Sequence, residues 1–308
     1  MPFFSIILPT YNRASFLNRS IGSVLSQTFD DFELIIIDDA SSDNTKEVVA
    51  AFEDDRIRYF KNDQNIERSA SRNKGIELSA GNYICFLDSD DAYRNNHLSV
   101  FYDFIMKNND PKGIMFTGVQ IHYSSGETEN VFDYPHFTEN PIEWLIQKQL
   151  PPLPSVCINT VILQKYQFNP KFSLNEDIEL WVRITTTYPL FPITDCTLDV
   201  FVHGGNTKFI LQDQSSELIN VFNAICRNPI CKNRISQRFK RNRLKELRRQ
   251  RVSSAINSND LKNIVPLILV FILRYPFAYQ NKYRLYVLLK NIPFVASIVK
   301  WYSLKKNK

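Results

Sequence analysis

The segment Ile-Cys-Phe-Leu-Asp-Ser-Asp-Asp, residues 84–91, is an apolar run that is followed by three carboxylates within four positions. The apolar half is typical of a strand buried in a sheet, and the acidic half contains Asp88, Asp90 and Asp91. Carboxylate oxygens at a strand end can hold a hard divalent cation, which phosphates can share. An Asp-rich turn after a strand can also be an ordinary solvated turn, so the segment alone leaves both interpretations open.

Two further apolar segments also run into polar or aromatic residues. Residues 32–39 read Phe-Glu-Leu-Ile-Ile-Ile-Asp-Asp, and the segment that begins at Phe3 continues into Leu-Pro-Thr-Tyr-Asn at residues 8–12. Because the carboxyl ends of parallel strands meet at one edge of a sheet, we expect Tyr11, Asp39 and the Asp88–Asp91 segment to line a shared crevice.

The first hundred residues alternate apolar runs with amphipathic segments, which predicts βαβ units and an α/β fold with a mostly parallel, Rossmann-like sheet. Nearly continuous apolar strands indicate helices on both faces of that sheet. The predicted strands are Phe4–Pro9, Phe32–Asp38, Ile57–Lys61 and Tyr83–Asp88, and the predicted helices between them are Ser15–Gln27, Asn44–Phe52 and Ser69–Ser79. Later predictions are a helix at His97–Asn108, a strand at Gly113–Tyr123, an apolar run at Ser155–Leu163, a helix that Asn175 caps and a strand near Thr197–Val202.

The composition is that of a globular protein, with 44% hydrophobic and 22% charged residues among 308. The five cysteines show no metal-ligand spacing, so we expect reduced, mostly buried thiols in a cytosolic protein. They are Cys85, Cys157, Cys196, Cys226 and Cys231. The run Phe3–Leu8 has no basic lead and no cleavage site, which predicts a first strand rather than a signal peptide.

The charge is divided unevenly along the chain. Residues 227–308 carry 20 Lys and Arg against 2 acidic residues, a net charge of +18, whereas residues 1–226 carry 17 against 30, a net charge of −13. We therefore predict a domain at residues 1–215 and a basic, helical C-terminal region at residues 216–308. The acidic part suits metal binding, and the basic part suits an anionic surface.

The basic region combines cationic and apolar stretches. Arg227–Arg251 contains 11 basic residues and one acid, whereas Leu261–Leu273 and Leu285–Leu304 are apolar but too short, or too interrupted by Pro and Lys, to span a bilayer. We expect these apolar helices to lie in the interface of an anionic membrane; the alternative is a helical cap packed on the domain. No nucleic acid partner is expected, because no recognition motif accompanies the basic run.

The three strand ends together indicate a site for a nucleoside diphosphate. Tyr11 can stack on a base while Asp39 accepts a hydrogen bond from a base N–H, and a metal held by the acidic segment would neutralise the diphosphate. Neither of the two usual phosphate-binding glycine motifs follows the first strand. A metal must therefore contribute more of the phosphate binding.

At this point the sequence resembles the inverting glycosyltransferases of family two, which have the GT-A fold. The resemblance covers residues 3–205 and rests on five motifs that occur in the family's order. They are Ile6-Ile7-Leu8-Pro9-Thr10-Tyr11-Asn12; Gln27-Thr28-Phe29 leading into Ile37-Asp38-Asp39-Ala40-Ser41-Ser42-Asp43; Ser71-Arg72-Asn73-Lys74-Gly75; Asp88-Ser89-Asp90-Asp91; and Glu176-Asp177.

The resemblance implies a set of donor-binding residues. Pro9 and Tyr11 would flank the uracil or another base, and Asp39 would hydrogen-bond to that base. Arg72 would lie near the diphosphate and stabilise the departing group, and Asp88 would contact the ribose or the sugar of the donor.

The resemblance also implies a metal site and a general base. Asp90 would bind Mn²⁺ or Mg²⁺, and His203 lies where some members place a residue near the metal or the diphosphate; a plain turn residue is the alternative for His203. Asp177 would remove the proton from an acceptor hydroxyl. Glu176 would support Asp177 or exchange roles with it. The alternative for Asp177 is an acid that is simply favourable in the first turn of a helix.

Three departures from the family pattern affect the site. Glu67 occupies a position where relatives often have Gly, and Ser71 replaces an Ala before Arg72. The segment Tyr166-Gln167-Phe168-Asn169 lacks the usual pair of glycines, which leaves the acceptor pocket undefined.

These observations predict a metal-dependent, inverting glycosyltransferase that is cytoplasmic and peripheral at the inner face of the cell membrane. Its donor would be a nucleotide-diphosphate sugar, with a UDP-sugar expected, and its acceptor a saccharide or lipid-linked saccharide of a cell-surface polysaccharide. One alternative is a sugar nucleotidyltransferase, which usually has a Gly- and Lys-rich first loop that this chain lacks. The other is a non-catalytic sugar-binding protein, for which loss of an acid at Asp90 or Asp177 would be expected.

Overall fold

The computed structural model describes residues 1–131, 140–204 and 215–257. The two apolar segments of the basic region, Leu261–Leu273 and Leu285–Leu304, lie outside these residues. Within the described ranges, no helix has both the length and the apolar character needed to cross a membrane.

The described strands form one sheet that is parallel in its first half and mixed in its second. The strands are β1 (Phe4–Thr10), β2 (Phe32–Asp38), β3 (Ile57–Lys61), β4 (Tyr83–Phe86), β5 (Ala92–Tyr93), β6 (Ile114–His122), β7 (Thr128–Val131), β8 (Val156–Asn159) and β9 (Leu190–Phe201). Their order is β3-β2-β1-β4-β8-β6-β9-β5, and β7 pairs with β6. The pairs β3–β2, β2–β1 and β1–β4 are parallel, so the carboxyl ends of these four strands meet at one edge.

The helices follow the strands as the alternating pattern predicts. They are α1 (Ala14–Leu25), α2 (Thr45–Ala50), α3 (Glu67–Leu78), α4 (His97–Lys107), α5 (Pro141–Lys148), α6 (Thr160–Lys165), α7 (Glu176–Thr185), α8 (Ser215–Arg227) and α9 (Gln237–Asn257). Every residue of β2 is buried, which requires cover on both faces of the sheet. The predicted α/β fold with a helical C-terminal region is confirmed.

The second half of the sheet differs from the sequence prediction at β8 and β9, and strand β5 was not predicted. The apolar run Ser155–Leu163 divides into strand β8, which pairs antiparallel with β4, and helix α6, which begins where Asn159 accepts a hydrogen bond from the Val161 amide at 3.1 Å. Strand β9 begins at Leu190, seven residues before the predicted start. The pairing between β6 and β9 is irregular around Gly118, so the two strands do not keep one regular register along their length.

The described residues fall into two compact units. The first contains residues 1–131, 140–204 and 217–243, and the described part of the second contains residues 215–216 and 244–257. The first unit therefore includes most of α8 and the first third of α9. The domain boundary after residue 215 stays a prediction.

Candidate active site

Four parallel strands end at the edge of the sheet where the sequence predicts a shared crevice. Tyr11 follows β1, Asp39 follows β2, Asn62 follows β3, and Asp88 lies just beyond β4. Backbone hydrogen bonds continue the pairing past the strand ends, from the amide of Asp39 to the carbonyl of Thr10 at 2.8 Å and from the amide of Asn62 to the carbonyl of Asp38 at 2.8 Å. The shared edge follows directly from the parallel register.

Asp39 is buried in a fixed orientation. Its Oδ1 accepts hydrogen bonds from Nδ2 of Asn62 at 2.9 Å and from the amide of Ile66 at 2.9 Å. Lys74 donates to Oδ1 of Asn62 at 2.7 Å and so fixes the amide of Asn62. Among the described residues, no group donates to the other carboxylate oxygen of Asp39, which can therefore accept a hydrogen bond from a ligand.

Asn62 was missed in the sequence analysis, although a signal existed. The strand Ile57–Lys61 was predicted with its observed bounds, and Asn62 is the first residue after its carboxyl end. Tyr11, Asp39 and Asp88 were identified because they follow the carboxyl ends of parallel strands. The same criterion, applied to β3, identifies Asn62.

The Tyr11 side chain is 48% exposed, whereas Pro9 is half-buried. The loop after β1 is tied to the loop after β2, because Asn12 Oδ1 accepts from the amide of Ser42 at 2.8 Å and the amide of Asn12 donates to Ser41 Oγ at 2.9 Å. An exposed ring on a fixed loop offers an aromatic face to a planar group such as a nucleobase.

Several non-glycine residues around the site have left-handed backbone conformations, which cost about 1 kcal/mol or more each. They are Asn12 (φ +51°), Ala40 (φ +65°), Glu67 (φ +69°) and Asn175 (φ +55°). The positive φ at Glu67 is a conformation that Gly would adopt without strain. The strained residues are at the ends of strands and the starts of helices that face the crevice.

Arg72 lies buried between two of the predicted site residues. It donates from Nη1 to Oε1 of Glu176 at 2.6 Å and from Nη2 to Oδ1 of Asp88 at 2.9 Å, and only 3% of Arg72 is exposed. Burial disfavours the charged guanidinium, but the charges of Asp88 and Glu176 outweigh this cost and raise the pKa of Arg72 above its usual value. The structure thus places Arg72 in a bridge between two carboxylates, while direct contact with a diphosphate stays a prediction.

The acidic segment is packed against residues that are distant in sequence. Asp90 Oδ2 and His203 Nε2 are 3.1 Å apart, and the His203 ring stacks on Phe16 with 4.5 Å between centroids. Arg19 donates to the backbone carbonyl of Asp90, and its guanidinium lies 3.6 Å from the centroid of the Phe201 ring. Nothing local in the sequence identifies Phe16, Arg19 or Phe201, because their role depends on α1 meeting the end of β9.

Asp90 and His203 form a donor set that suits a divalent cation. A carboxylate oxygen and an imidazole nitrogen are both ligands that Mn²⁺ accepts, whereas Mg²⁺ prefers oxygen ligands. Within the described ranges, no three His, Cys, Asp or Glu side chains are grouped closely enough to hold a metal ion alone. A cation here would take further ligands from a bound diphosphate.

Asp91 anchors the acidic segment. Its Oδ1 accepts from the amide of Phe201 at 3.2 Å, and the side chain is buried. Burial raises the pKa of Asp91, and the neighbouring charges of Asp88 and Asp90 raise it further. The segment therefore carries two carboxylates towards the crevice and a third into the fold.

Glu176 and Asp177 open helix α7, as the sequence predicts, but their environments differ. Glu176 is buried and bound to Arg72, whereas Asp177 is half-buried and its Oδ1 accepts from the amide of Ile178 at 2.8 Å. Asn175 occupies the N-cap position, as predicted, but its backbone is left-handed and its side chain makes no capping hydrogen bond. Of the two acids, Asp177 is the more accessible.

The chain resembles known sugar transferases in sequence. Residues 5–166 match the profile of the family described as Glycosyl transferase family 2. An uncharacterized glycosyltransferase of Rickettsia bellii is 32% identical over 228 residues, which are 73% of this chain and 32% of that protein. The Escherichia coli UDP-Glc:alpha-D-GlcNAc-diphosphoundecaprenol beta-1,3-glucosyltransferase WfgD is 33% identical over 183 residues, 58% of this chain and 68% of WfgD. The chain spans about a third of the length of several curated relatives.

Two solved structures share the fold at low sequence identity. Staphylococcus aureus TarS 1–349 in complex with UDP-GlcNAc has a TM-score of 0.66 at 18% identity, covering 88% of this chain and 79% of that one. The Pyrobaculum calidifontis mannosyltransferase PcManGT in complex with GDP-Man and Mn²⁺ has a TM-score of 0.61 at 12% identity, covering 98% and 88%. The profile match spans more than half of the chain, and the protein is therefore a member of glycosyltransferase family 2 with the GT-A fold.

Proposed function

We propose that this protein is an inverting glycosyltransferase that moves a sugar from a UDP-sugar to a hydroxyl of a lipid-linked saccharide during synthesis of a cell-surface polysaccharide. The observation that carries the proposal is the buried Arg72, which joins Asp88 on the donor side to Glu176 beside the candidate base Asp177. WfgD, whose name specifies a UDP-glucose donor and a diphosphoundecaprenol-linked acceptor, supports these substrate classes.

The donor would lie along the carboxyl edge of β1, β2 and β4. Tyr11 and Pro9 would flank the base, and the open oxygen of Asp39 would accept a base N–H. Asp88 is partly exposed and uses Oδ1 to bind Arg72, so its other oxygen is placed to contact the ribose or sugar. The complex of TarS with UDP-GlcNAc supports a uridine donor on this fold.

Asp90 and His203 would hold Mn²⁺ or Mg²⁺. When bound, such a cation supplies charge neutralisation on the departing diphosphate. The 3.1 Å separation between Asp90 Oδ2 and His203 Nε2 supports the assignment, because the two atoms are close enough to contact the same cation. PcManGT, which was solved with Mn²⁺ and a GDP-sugar, offers a precedent on the same fold.

Asp177 would act as the general base. It would take the proton from the acceptor hydroxyl as that oxygen forms a bond to the anomeric carbon and the bond from this carbon to the diphosphate breaks. Attack from the side opposite the leaving group inverts the anomeric centre. Glu176 is committed to Arg72 in a buried ion pair, which favours Asp177 over Glu176 for this role.

A lipid-linked acceptor requires the enzyme to work at a membrane surface. In the first compact unit, residues 218–243 contain no acidic residue, and Ile230 between α8 and α9 is 48% exposed. Exposed cations surround it in sequence: Arg227, Lys232, Arg234, Arg238 and Arg241. Such a surface suits anionic lipid headgroups, and we assign the protein to the cytoplasmic face of the cell membrane as a peripheral protein.

The proposal is tested by thermal shift and calorimetry with UDP, GDP and CDP, each with and without Mn²⁺. Stabilisation by UDP that increases with Mn²⁺ is the expected result. Family membership favours sugar transfer over nucleotidyl transfer and over non-catalytic sugar binding. No binding of any of the three nucleotides by the folded protein would contradict the proposal.

A further inference from the structure

Glu217, near the start of α8, binds the loop that leads into α7. A single carboxylate oxygen, Oε1, accepts from the amide of Ser173 at 2.8 Å, from Ser173 Oγ at 2.8 Å and from the amide of Leu174 at 3.0 Å. The next residue is the left-handed Asn175, and α7 begins immediately after it. The loop before the candidate base is thus held by a residue that lies more than forty positions away.

Other contacts hold the start of helix α7, directly after this loop. Asn175 supplies no capping hydrogen bond, and its Oδ1 instead accepts from Nε2 of Gln149 at 3.2 Å. Glu176 is held from inside the fold by Arg72. Asp177 directly follows Asn175 and Glu176, so the entry angle of the chain at residues 173–174 helps to set where its carboxylate points.

The segment of residues 217–236, which begins with Glu217, also forms hydrogen bonds with α5, the helix next to α7. Asn140 Nδ2 donates to the carbonyl of Arg234 at 2.7 Å, and the amide of Ser236 donates to Oε1 of Glu143 at 2.7 Å. Asn140 caps α5, and α5 packs against α7. Residues 217–236 therefore hold both α5 and the loop that enters α7.

We propose that Glu217 is a positioning residue for sugar transfer, acting through Ser173 and Leu174 to orient Asp177. The inference rests on the proposed role of Asp177 as the base. It also means that α8, which sequence analysis assigned to the membrane-associating region, belongs functionally to the active site. Misplacement of a reacting group by about 1 Å can lower a rate by about a hundredfold.

The test compares variants for turnover and donor affinity. The probes are UDP-glucose with Mn²⁺ and a synthetic lipid-diphosphate GlcNAc acceptor, and UDP binding is measured separately. Glu217→Ala should lower kcat by about tenfold to a hundredfold with little change in UDP affinity. Glu217→Gln keeps an oxygen acceptor and should remain within about threefold of the wild type.

Two further variants provide a control and a second test of the contact between Glu217 and the loop. Glu77→Ala removes an exposed glutamate from α3 and should leave kcat unchanged. Ser173→Ala removes only the hydroxyl partner of Glu217, so it should cause a smaller loss that does not add to that of Glu217→Ala. If Glu217→Ala fails to fold, Ser173→Ala alone decides the question: unchanged kcat in the folded Ser173→Ala protein contradicts the positioning role.

The outcomes separate this inference from the proposed function. Full turnover in a folded Glu217→Ala protein, or equal losses in Glu217→Ala and Glu217→Gln, would overturn the positioning role while leaving sugar transfer intact. An inactive wild-type protein, or an active Asp177→Asn protein, would instead overturn the proposed function.

Discussion

Arg72 Nη1 donates to Oε1 of Glu176 at 2.6 Å across 104 positions of the chain, in a buried ion pair. Its second terminal nitrogen binds Asp88 at 2.9 Å. The guanidinium therefore connects the end of strand β4 with the first turn of the helix that carries Asp177. In the proposed function, this bridge links the donor side of the site to the side of the base.

Arg72→Ala should destabilise the protein by about 3–5 kcal/mol, because it leaves two carboxylates without their buried cation. Arg72→Lys keeps the charge but cannot bind both carboxylates with a planar fork, so we expect an intermediate loss. Denaturant unfolding measures both effects. Lys46→Ala, which removes an exposed cation from α2, is the control. Equal stability of Arg72→Ala and the control would show that the bridge contributes nothing to the fold.

Asp90→Asn and His203→Ala should weaken the Mn²⁺-dependent part of UDP binding by about tenfold or more, since each removes one of the two proposed metal ligands. UDP binding without metal should change little. Calorimetric titration of UDP with and without Mn²⁺ separates the two quantities. The control is Asp103→Asn, which changes an exposed carboxylate on α4. Unchanged Mn²⁺ dependence in both variants would exclude this pair as the metal site.

Glu33 should make stability depend on pH. Burial alone raises the pKa of Glu33, but hydrogen bonds from Ser5 Oγ, from the amide of Ala80 and from Arg58 outweigh it and lower the pKa. A lowered pKa in the folded state means that the carboxylate stabilises the fold above its ordinary pKa of about 4.3 and loses this effect as the pH falls.

Glu33→Gln should therefore be less stable than the wild type by about 1–3 kcal/mol at neutral pH, and the difference should shrink below about pH 4. Urea unfolding at a series of pH values measures the difference. Glu77→Gln, at an exposed position, should show no such trend. A difference that is constant from pH 7 to pH 3 would contradict the charge-dependent role of Glu33.

The surface between α8 and α9 should bind anionic vesicles. Each exposed cation near an anionic surface contributes about 1 kcal/mol, so Arg234→Ala with Arg238→Ala should weaken binding by about tenfold or more. Ile230→Glu should weaken it further by removing an exposed apolar side chain. Sedimentation with phosphatidylglycerol vesicles measures binding, with Lys46→Ala and Lys107→Ala as the matched control. Equal sedimentation of both proteins would show that this surface does not contact lipid.

Local patterns in the sequence were sufficient for the parallel half of the sheet. Strands β2 and β3 have the predicted bounds. In β2 the apolar run that ends at Asp38 marks a buried parallel strand and its carboxyl end, whereas β3 is half-buried. The same rule brought Tyr11, Asp39 and Asp88 to one edge. The same rule identifies Asn62, which the sequence prediction did not include.

The remaining parts of the site depend on contacts between distant segments. Arg19 meets Phe201 only because α1 packs beside the end of β9, and Glu217 meets Ser173 only because α8 returns to α7. The position of Arg72 inside the fold likewise depends on Glu176, which the sequence places far away. No single segment contains these relationships, so periodicity and motif spacing could not predict them.

In the proposed function, Asp177 is the base in a sugar transfer whose donor binds elsewhere along the sheet edge. The most direct measurement compares Asp177→Asn with the wild type for UDP binding in Mn²⁺ and for transfer from UDP-glucose to a lipid-diphosphate GlcNAc acceptor. We expect the UDP affinity of Asp177→Asn to stay within about threefold of the wild type and its rate of transfer to fall by about a hundredfold or more. Transfer that persists, or a parallel loss of UDP affinity, would contradict it.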